Sequence, residues 1–270
     1  MKIALVPFCG LGNRLNVISS AVALKKRMPQ YDITVYWHNT PDCRCDFSDL
    51  FLPIDQLPVV PLKKFYLIRR GKQFLRLPML LRLFKFDKCF KARKIWNDDF
   101  LLQPDLPYTR IYIEGNKRFC PVEETQMLSR YYRLTPELEQ RVEAVTRQFA
   151  DFTIGVHIRR TDHRAVIREN PLDGFLRLMR EQQDAHPGCK FYIASDDEEV
   201  KNQLRTAFPG LIVTQPSVVL RRDDVQGMKD AVVELFTLAR TQLIIGSKGS
   251  TYSDLASKLY DTPLLFTHQD

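Results

Sequence analysis

No stretch of this sequence stays apolar for the ~18 residues a membrane-spanning helix needs, and its first residues, MKIALVPF, are interrupted too soon for a secretion signal. The expected location is therefore cytoplasmic. Six cysteines (Cys9, Cys43, Cys45, Cys89, Cys120, Cys189) are scattered, and only Cys43 and Cys45 lie close together. A Cys-x-Cys pair has poor zinc spacing and no second pair completes a site, so reduced thiols are expected. The patterns H-x-x-x-H and H-E-x-x-H are missing, which leaves no metal-ligand set in the sequence. The pattern G-x-x-x-x-G-K-[ST] is missing as well, which argues against a P-loop nucleotidase. There is no internal repeat and no low-complexity tract.

What is present is the composition of a folded protein, 44% hydrophobic and 27% charged over 270 residues. That length accommodates one large domain or two small ones. A formal net charge of +8 favours anionic partners: nucleotides, nucleic acid or an acidic membrane surface. Reading nucleic-acid bases would need an aromatic-basic platform or a recognised module, and neither occurs, so nucleic acid is not an expected partner.

Strand and helix signals alternate at both ends of the chain. Residues 2–8 (KIALVPF) read as a strand, 9–13 (CGLGN) as a turn, 14–28 as a helix and 32–38 as a second strand. From 152 onward strands are expected at 152–158, 190–195, 211–215, 242–247 and 263–266, with helices at 172–185, 197–208, 225–240 and 250–259 between them. Such alternation implies parallel sheets covered by helices, an α/β protein. The expected division is an amino-terminal Rossmann-like domain over 1–148 and a carboxyl-terminal domain over 149–270.

Residues 62–94 (LKKFYLIRRGKQFLRLPMLLRLFKFDKCFKARK) carry twelve Lys or Arg against one acid, Asp87. The interleaved Leu, Phe, Ile and Met predict a helical insertion, kinked at Pro78, with a solvated basic face. The same pattern suits an interfacial helix on an anionic membrane, or a contact for an acidic or lipid-linked acceptor.

Four motifs carry chemistry. VHIRRTD (156–162) places His157, Arg159, Arg160 and Asp162 at the carboxyl end of an apolar strand, where ligands bind in open α/β sheets. A guanidinium fork matches phosphate oxygens and stays charged, so one arginine suits a diphosphate while the other pairs with Asp162 or shapes the turn. In SDDEE (195–199), Ser195 with Glu198 fits a capping box; alternatively Asp196 or Asp197 accepts hydrogen bonds from a purine, and guanine offers the N1–H and N2–H₂ pair that adenine lacks. GSKGSTYSDLA (246–256) turns a strand into a helix with Ser250 and Thr251 at the start, a common phosphate-binding arrangement as well as an ordinary capped connection. GLGN (10–13) resembles a dinucleotide turn, but Leu15 stands at the place of its third glycine.

Together, GLGNRL (10–15), HIRRTD (157–162), YIASDD (192–197) and GSKGSTYSDLA (246–256) resemble the GDP-fucose-dependent fucosyltransferase superfamily, which includes the nodulation-type α1,6, the α1,2 and the protein O-fucosyltransferases. The resemblance is good over roughly 150–262 and thin over 16–145. It implies a GT-B fold, two Rossmann-like domains facing across a cleft, and an inverting, metal-independent transfer of L-fucose from GDP-β-L-fucose to a glycan hydroxyl. It also implies that Arg159 holds the β-phosphate, that His157 and Asp196 contact guanine, and that Ser250 with neighbours such as Thr251 binds phosphate. Gly10 and Gly12, with Asn13 and Arg14, would bring the amino-terminal loop to the diphosphate, and Arg160 and Asp162 would support the framework.

In the α1,6 relatives a glutamate stands ten residues beyond the motif histidine, where this chain has Ile167; the nearest acid, Glu169, is the expected catalytic base, with Asp162 and His163 as alternatives. The resemblance favours a bacterial or viral enzyme of surface-glycan synthesis acting on a lipid-linked glycan, with 62–94 turned to the inner face of the membrane. A related transferase using another nucleotide sugar, and a non-catalytic basic protein that binds polyanions, are the competing readings.

Overall fold

A computed structural model describes residues 1–62, 67–70, 73–76, 85–95, 99–103, 105–120, 127–160, 168–216, 218–219, 221 and 223–267. Asp162, His163 and Ile167 lie outside these residues, as does much of the basic segment. The chain divides into two compact units. The first holds Met1–Gln126, Arg130–Thr135 and Arg221–Met228; the second holds Met127–Ser129, Pro136–Leu220 and Lys229–Asp270.

The first unit is built on strands β1 (Lys2–Pro7), β2 (Asp32–Trp37) and β3 (Val59–Pro61), with α1 (Leu11–Arg27) joining β1 to β2. A separate pair, β4 (Leu67–Arg70) and β5 (Gln73–Arg76), follows, and then β6 (Lys88–Lys91) and β7 (Arg110–Gly115) complete the main sheet. Its order is β3-β2-β1-β7-β6, all parallel. The chain steps outward from β1 to β3 and returns on the other side of β1, so the strand order reverses between β1 and β7. The crevice beyond the carboxyl ends of such neighbours is where open α/β sheets bind ligands.

Two expectations need correction here. Leu11–Asn13, read as turn, are the first residues of α1, and Gly10 is its extended N-cap. Amides of a first helical turn need no intrahelical acceptor, so weak helix formers such as Gly12 and Asn13 are tolerated there. The basic segment is not helical over 67–76: β4 and β5 pair antiparallel with Leu67 opposite Arg76 and Arg70 opposite Gln73. The two runs are separated by only two residues, Gly71 and Lys72, a hairpin signal that outweighs the apolar spacing.

The second unit starts with α2 (Pro136–Thr146), a helix not among the expected elements. It continues through β8 (Thr153–Ile158), α3 (Leu172–Ala185), β9 (Lys190–Ser195), α4 (Glu198–Ala207) and β10 (Ile212–Val213) to α5 (Val225–Ala239), which belongs to this unit from Lys229 onward. Then come β11 (Leu243–Gly246), α6 (Thr251–Tyr260) and β12 (Leu264–Phe266). The sheet order is β10-β9-β8-β11-β12, all parallel, with the reversal between β8 and β11. The pattern of alternating strands and helices is as expected, although β10 is only two residues long where five were expected.

Every residue of β8 is buried, as a central parallel strand covered on both faces requires. Ile154, Val156 and Ile158 pack with Phe175 and Met179 of α3, Phe191 and Ile193 of β9, and Val200 and Leu204 of α4. Gly155 answers to α5: a Cβ there would lie 2.5 Å from Leu238 Cδ1 and 2.8 Å from Thr241 Oγ1. The absent side chain is what lets that helix lie against the strand. Among the described residues no helix is long and apolar enough to cross a membrane.

Candidate functional site

The reversal in the second sheet brings three of the motifs to one edge. β8 ends at Ile158, opposite Ser195 of β9, so Arg159 and Arg160 leave the sheet beside Asp196 and Asp197. On the other side β11 runs parallel to β8, Ile245 opposite Val156, and delivers Ser247–Ser250 to the same edge.

Hydrogen bonds tie the three together. Asp196 Oδ1 accepts from the Arg160 amide at 2.7 Å, and Asp196 Oδ2 lies 3.8 Å from Arg159 Nε. Ser247, fully buried, accepts from the Arg159 amide at 3.3 Å and donates to the His157 carbonyl at 3.1 Å. The Arg160 guanidinium donates to the carbonyl of Asn170 at 3.0 Å. The two arginines therefore do different work: Arg159 is held against the acid at the tip of β9, and Arg160 braces the chain on the way to α3.

His157 is 5% exposed. Its ring stacks on Tyr252 with centroids 4.8 Å apart, and its Nδ1 lies 2.7 Å from Ser253 Oγ. Burial, with a further push from the Arg159 charge, lowers its pKa to about 4 against the opposing pull of Asp196. The ring is neutral at physiological pH.

The capping box expected of Ser195 and Glu198 does not form. Asp197 is the N-cap of α4, its Oδ1 accepting from the Glu199 amide at 2.9 Å, while Ser195 Oγ accepts from the Asp197 amide at 3.2 Å. A carboxylate at the cap is the stronger acceptor and suits the positive end of the helix dipole, which displaces the cap by two residues. Asp197 is thereby used within the fold.

At the start of α6, Ser250 Oγ accepts from the Tyr252 amide at 3.3 Å, which makes Ser250 the cap. Its own hydroxyl hydrogen remains to be donated. The Ser250 amide donates to Ser247 O at 3.1 Å and the Lys248 amide to Asn170 Oδ1 at 2.7 Å. The Gly249 and Thr251 amides have no acceptor among the described residues. Gly249 has φ +80°, a conformation only glycine takes without strain, and Thr251 is exposed. Amides, a hydroxyl and a helix N-terminus are the groups with which proteins bind anions.

In the first unit, α1 starts after the Gly10 turn with no side-chain cap and no acid in its first turn. Its first amides, like those of α6, have no intrahelical acceptor, and Gly10, Gly12 and Asn13 are all half-buried. Arg14 points inward. It is 0% exposed, and its guanidinium donates to Cys9 O at 2.7 Å, to His38 O and to Thr40 Oγ1 at 2.7 Å while lying over the Trp37 ring. That fork locks the Gly10 turn to the segment after β2.

Glu169 is exposed, next to the buried Asn170. The sequence reading missed five residues of this edge: Asn170, Ser247, Tyr252, Ser253 and Glu234. Ser247, Tyr252 and Ser253 lie within the GSKGSTYSDLA motif, but their partners, like those of Asn170, are distant in sequence and leave no local signal. Glu234 did carry one, a lone acid in the apolar run AVVELFTLA (231–239). It is 9% exposed, accepts from the Ser195 amide and keeps Oε1 without a partner among the described residues. Burial pushes its pKa up to about 7. Among the described residues no three His, Cys, Asp or Glu side chains gather as a metal site.

No family model matches the chain, and no curated protein matches it. Solved structures do. NodZ α-1,6-fucosyltransferase, soaked with GDP-fucose, superposes with a TM-score of 0.66 at 18% identity, covering 95% of this chain and 92% of its own. The chain has the fold of fucosyltransferases. A point mutant of Arabidopsis thaliana FUT1 in complex with GDP gives a TM-score of 0.61 at 13% identity, over 98% of this chain and 69% of its own. POFUT1 in its apo form gives 0.58 at 15% identity, over 98% and 97%. The likeness therefore extends through residues 16–145, where the sequence resemblance is thin.

Proposed function

We propose that this protein is a GDP-fucose-dependent glycosyltransferase, inverting and independent of metal, that fucosylates a hydroxyl of a glycan. The observation that carries the reading is the meeting of His157, Arg159, Asp196 and the Ser247–Thr251 turn at the strand-order reversal of one sheet. The fold likeness to structures holding GDP-fucose or GDP supports it. The GT-B arrangement, with two Rossmann-like domains facing across a cleft, is part of the same reading.

In this reading Arg159 binds the β-phosphate. Ser250 Oγ and the Gly249 and Thr251 amides complete the diphosphate contacts, and the Gly10 turn supplies further amides with Arg14 holding its shape. Asp196 and the unpartnered Glu234 oxygen are acceptors for the guanine N1–H and N2–H₂ pair. Glu169 takes the proton of the acceptor hydroxyl as its oxygen attacks the fucosyl anomeric carbon. The bond to the β-phosphate oxygen breaks with inversion, and GDP departs carrying the negative charge that Arg159 neutralises. The acceptor is a lipid-linked surface glycan, and the basic segment including the β4–β5 hairpin meets the anionic face of the membrane that carries it.

Isothermal titration in EDTA with GDP, and with UDP and ADP as controls, tests the reading. Selective GDP binding that Arg159→Ala largely abolishes is expected, together with hydrolysis of GDP-fucose in preference to GDP-mannose. A folded wild-type protein with no preference for GDP would overturn it. Glu169→Gln with unchanged turnover would remove Glu169 as the base.

A further inference from the structure

We propose that Ser253 and Tyr252 are positioning residues that fix the ring and the tautomer of His157, so that the histidine offers Nε2–H to its ligand. This rests on the assignment of His157 as a nucleotide contact.

The geometry is specific. Ser253 belongs to the first turn of α6 and is fully buried, yet it reaches His157 on β8 across the neighbouring strand β11. It does so because Gly246, at the end of β11, has no side chain: a Cβ there would lie 2.7 Å from both Cβ and Oγ of Ser253. Tyr252 lies against the imidazole, the two planes within 29°, and its hydroxyl donates to Ala231 O of α5 at 2.7 Å. The ring is thus held on its edge by one side chain and on its face by the next.

Hydrogen counting then selects the tautomer. His157 Nδ1 is the partner of Ser253 Oγ among the described residues. If Ser253 donates, its hydroxyl hydrogen and the Nδ1 lone pair are both satisfied. If Nδ1 carried the hydrogen, the hydroxyl hydrogen of a fully buried serine would be left without an acceptor, which costs the full desolvation of that donor. The favoured ring carries its hydrogen on Nε2, which makes no hydrogen bond among the described residues. The charged groups acting on the ring, Arg159 and Asp196, leave it neutral, so this tautomer persists through the physiological range. A neutral Nε2–H can meet only an acceptor atom of the ligand.

The test is histidine ¹⁵N–¹H correlation spectroscopy on the unliganded protein, with His157 assigned by its loss in His157→Gln. A neutral Nε2–H tautomer is expected in the wild type between pH 6 and 8. Ser253→Ala should mix the tautomers and weaken GDP binding roughly 10-fold. Tyr252→Phe, which keeps the stacked ring, should retain more affinity than Tyr252→Leu. An Nδ1–H tautomer in the wild type overturns the proposal, and so does a Ser253→Ala protein with unchanged tautomer and unchanged affinity. If Ser253→Ala does not fold, the wild-type spectrum alone decides. If GDP fails to bind the wild type while the tautomer is as expected and shifts in Ser253→Ala, the positioning stands and the nucleotide assignment falls.

Discussion

Asn170 and Lys248 form a two-bond amide pair across 78 residues of sequence: Asn170 Oδ1 accepts from the Lys248 amide at 2.7 Å, and Nδ2 donates to its carbonyl at 3.2 Å. The Asn170 carbonyl meanwhile accepts from Arg160, and Thr267 Oγ1 reaches Oδ1 at 3.3 Å. One buried residue thus joins the arginine motif, through its backbone carbonyl, to the serine-glycine turn, through its side chain.

Asn170→Ala should destabilise the protein by about 2 kcal/mol, because it strips both polar groups of Lys248 of their partner. The same change should weaken GDP binding through loss of the turn's shape. Urea unfolding paired with GDP titration checks both. Asn170→Asp keeps the acceptor but not the donor and should fall between wild type and alanine in affinity.

Arg14→Ala should cost on the order of 3 kcal/mol, since it leaves acceptors inside the fold without their donors. Arg14→Lys should recover only a minor part of the loss. A single ammonium cannot span Cys9 O, His38 O and Thr40 Oγ1 as the planar fork does. Denaturant midpoints of the three proteins decide the order.

The pH dependence of stability should contain two opposed contributions. His157 has a folded pKa of about 4, below the 6.5 of a free side chain, so its contribution is complete above pH 6.5 and is lost as pH falls through 4. Glu234 has a folded pKa of about 7, above its unperturbed 4.5, so its contribution is complete below pH 4.5 and is lost as pH rises through 7. Glu234→Gln should remove the alkaline part, worth roughly 3 kcal/mol between pH 4.5 and 8. Unfolding free energies over that range should show the wild type losing stability relative to Glu234→Gln as pH rises.

Gly155→Ala should destabilise by roughly 1–3 kcal/mol, the range for overpacking a filled interior. The added methyl would press on Leu238 and Thr241. The Gly155→Ala, Leu238→Ala pair should be less destabilised than the sum of its parts, as a thermodynamic cycle of unfolding energies would show.

The parts legible in the sequence are those encoded locally. Apolar runs such as FTIGVHI and QLIIGS, separated by amphipathic segments, specify parallel strands and covering helices through side-chain periodicity alone. Fixed charge at the end of such a run stands at the carboxyl edge of the sheet. The basic segment shows the limit of periodicity: over 67–76 the short Gly-Lys separation decides for strands that the apolar spacing had suggested were helix.

The tertiary structure decided which side chain each functional group faces. His157 meets Ser253 across 96 residues, Arg14 meets Thr40 across the first unit's sheet edge, and Asn170 meets Lys248 through chain reversals that no local pattern encodes. Those partners determine whether a polar group is exposed to ligand or used inside the fold. Asp197 and Arg14 carry the right chemistry for a ligand, yet each is drawn into the fold, one capping α4 and the other bracing the Gly10 turn. Glu234 sits in a helix that reads as apolar, accepts from the Ser195 amide and keeps one oxygen without a partner among the described residues. The sequence supplied the chemical groups and the strand ends that carry them; the packing of strands distant along the chain determined which of those groups remain open to a ligand, because a buried polar atom is committed to whatever neighbour satisfies it.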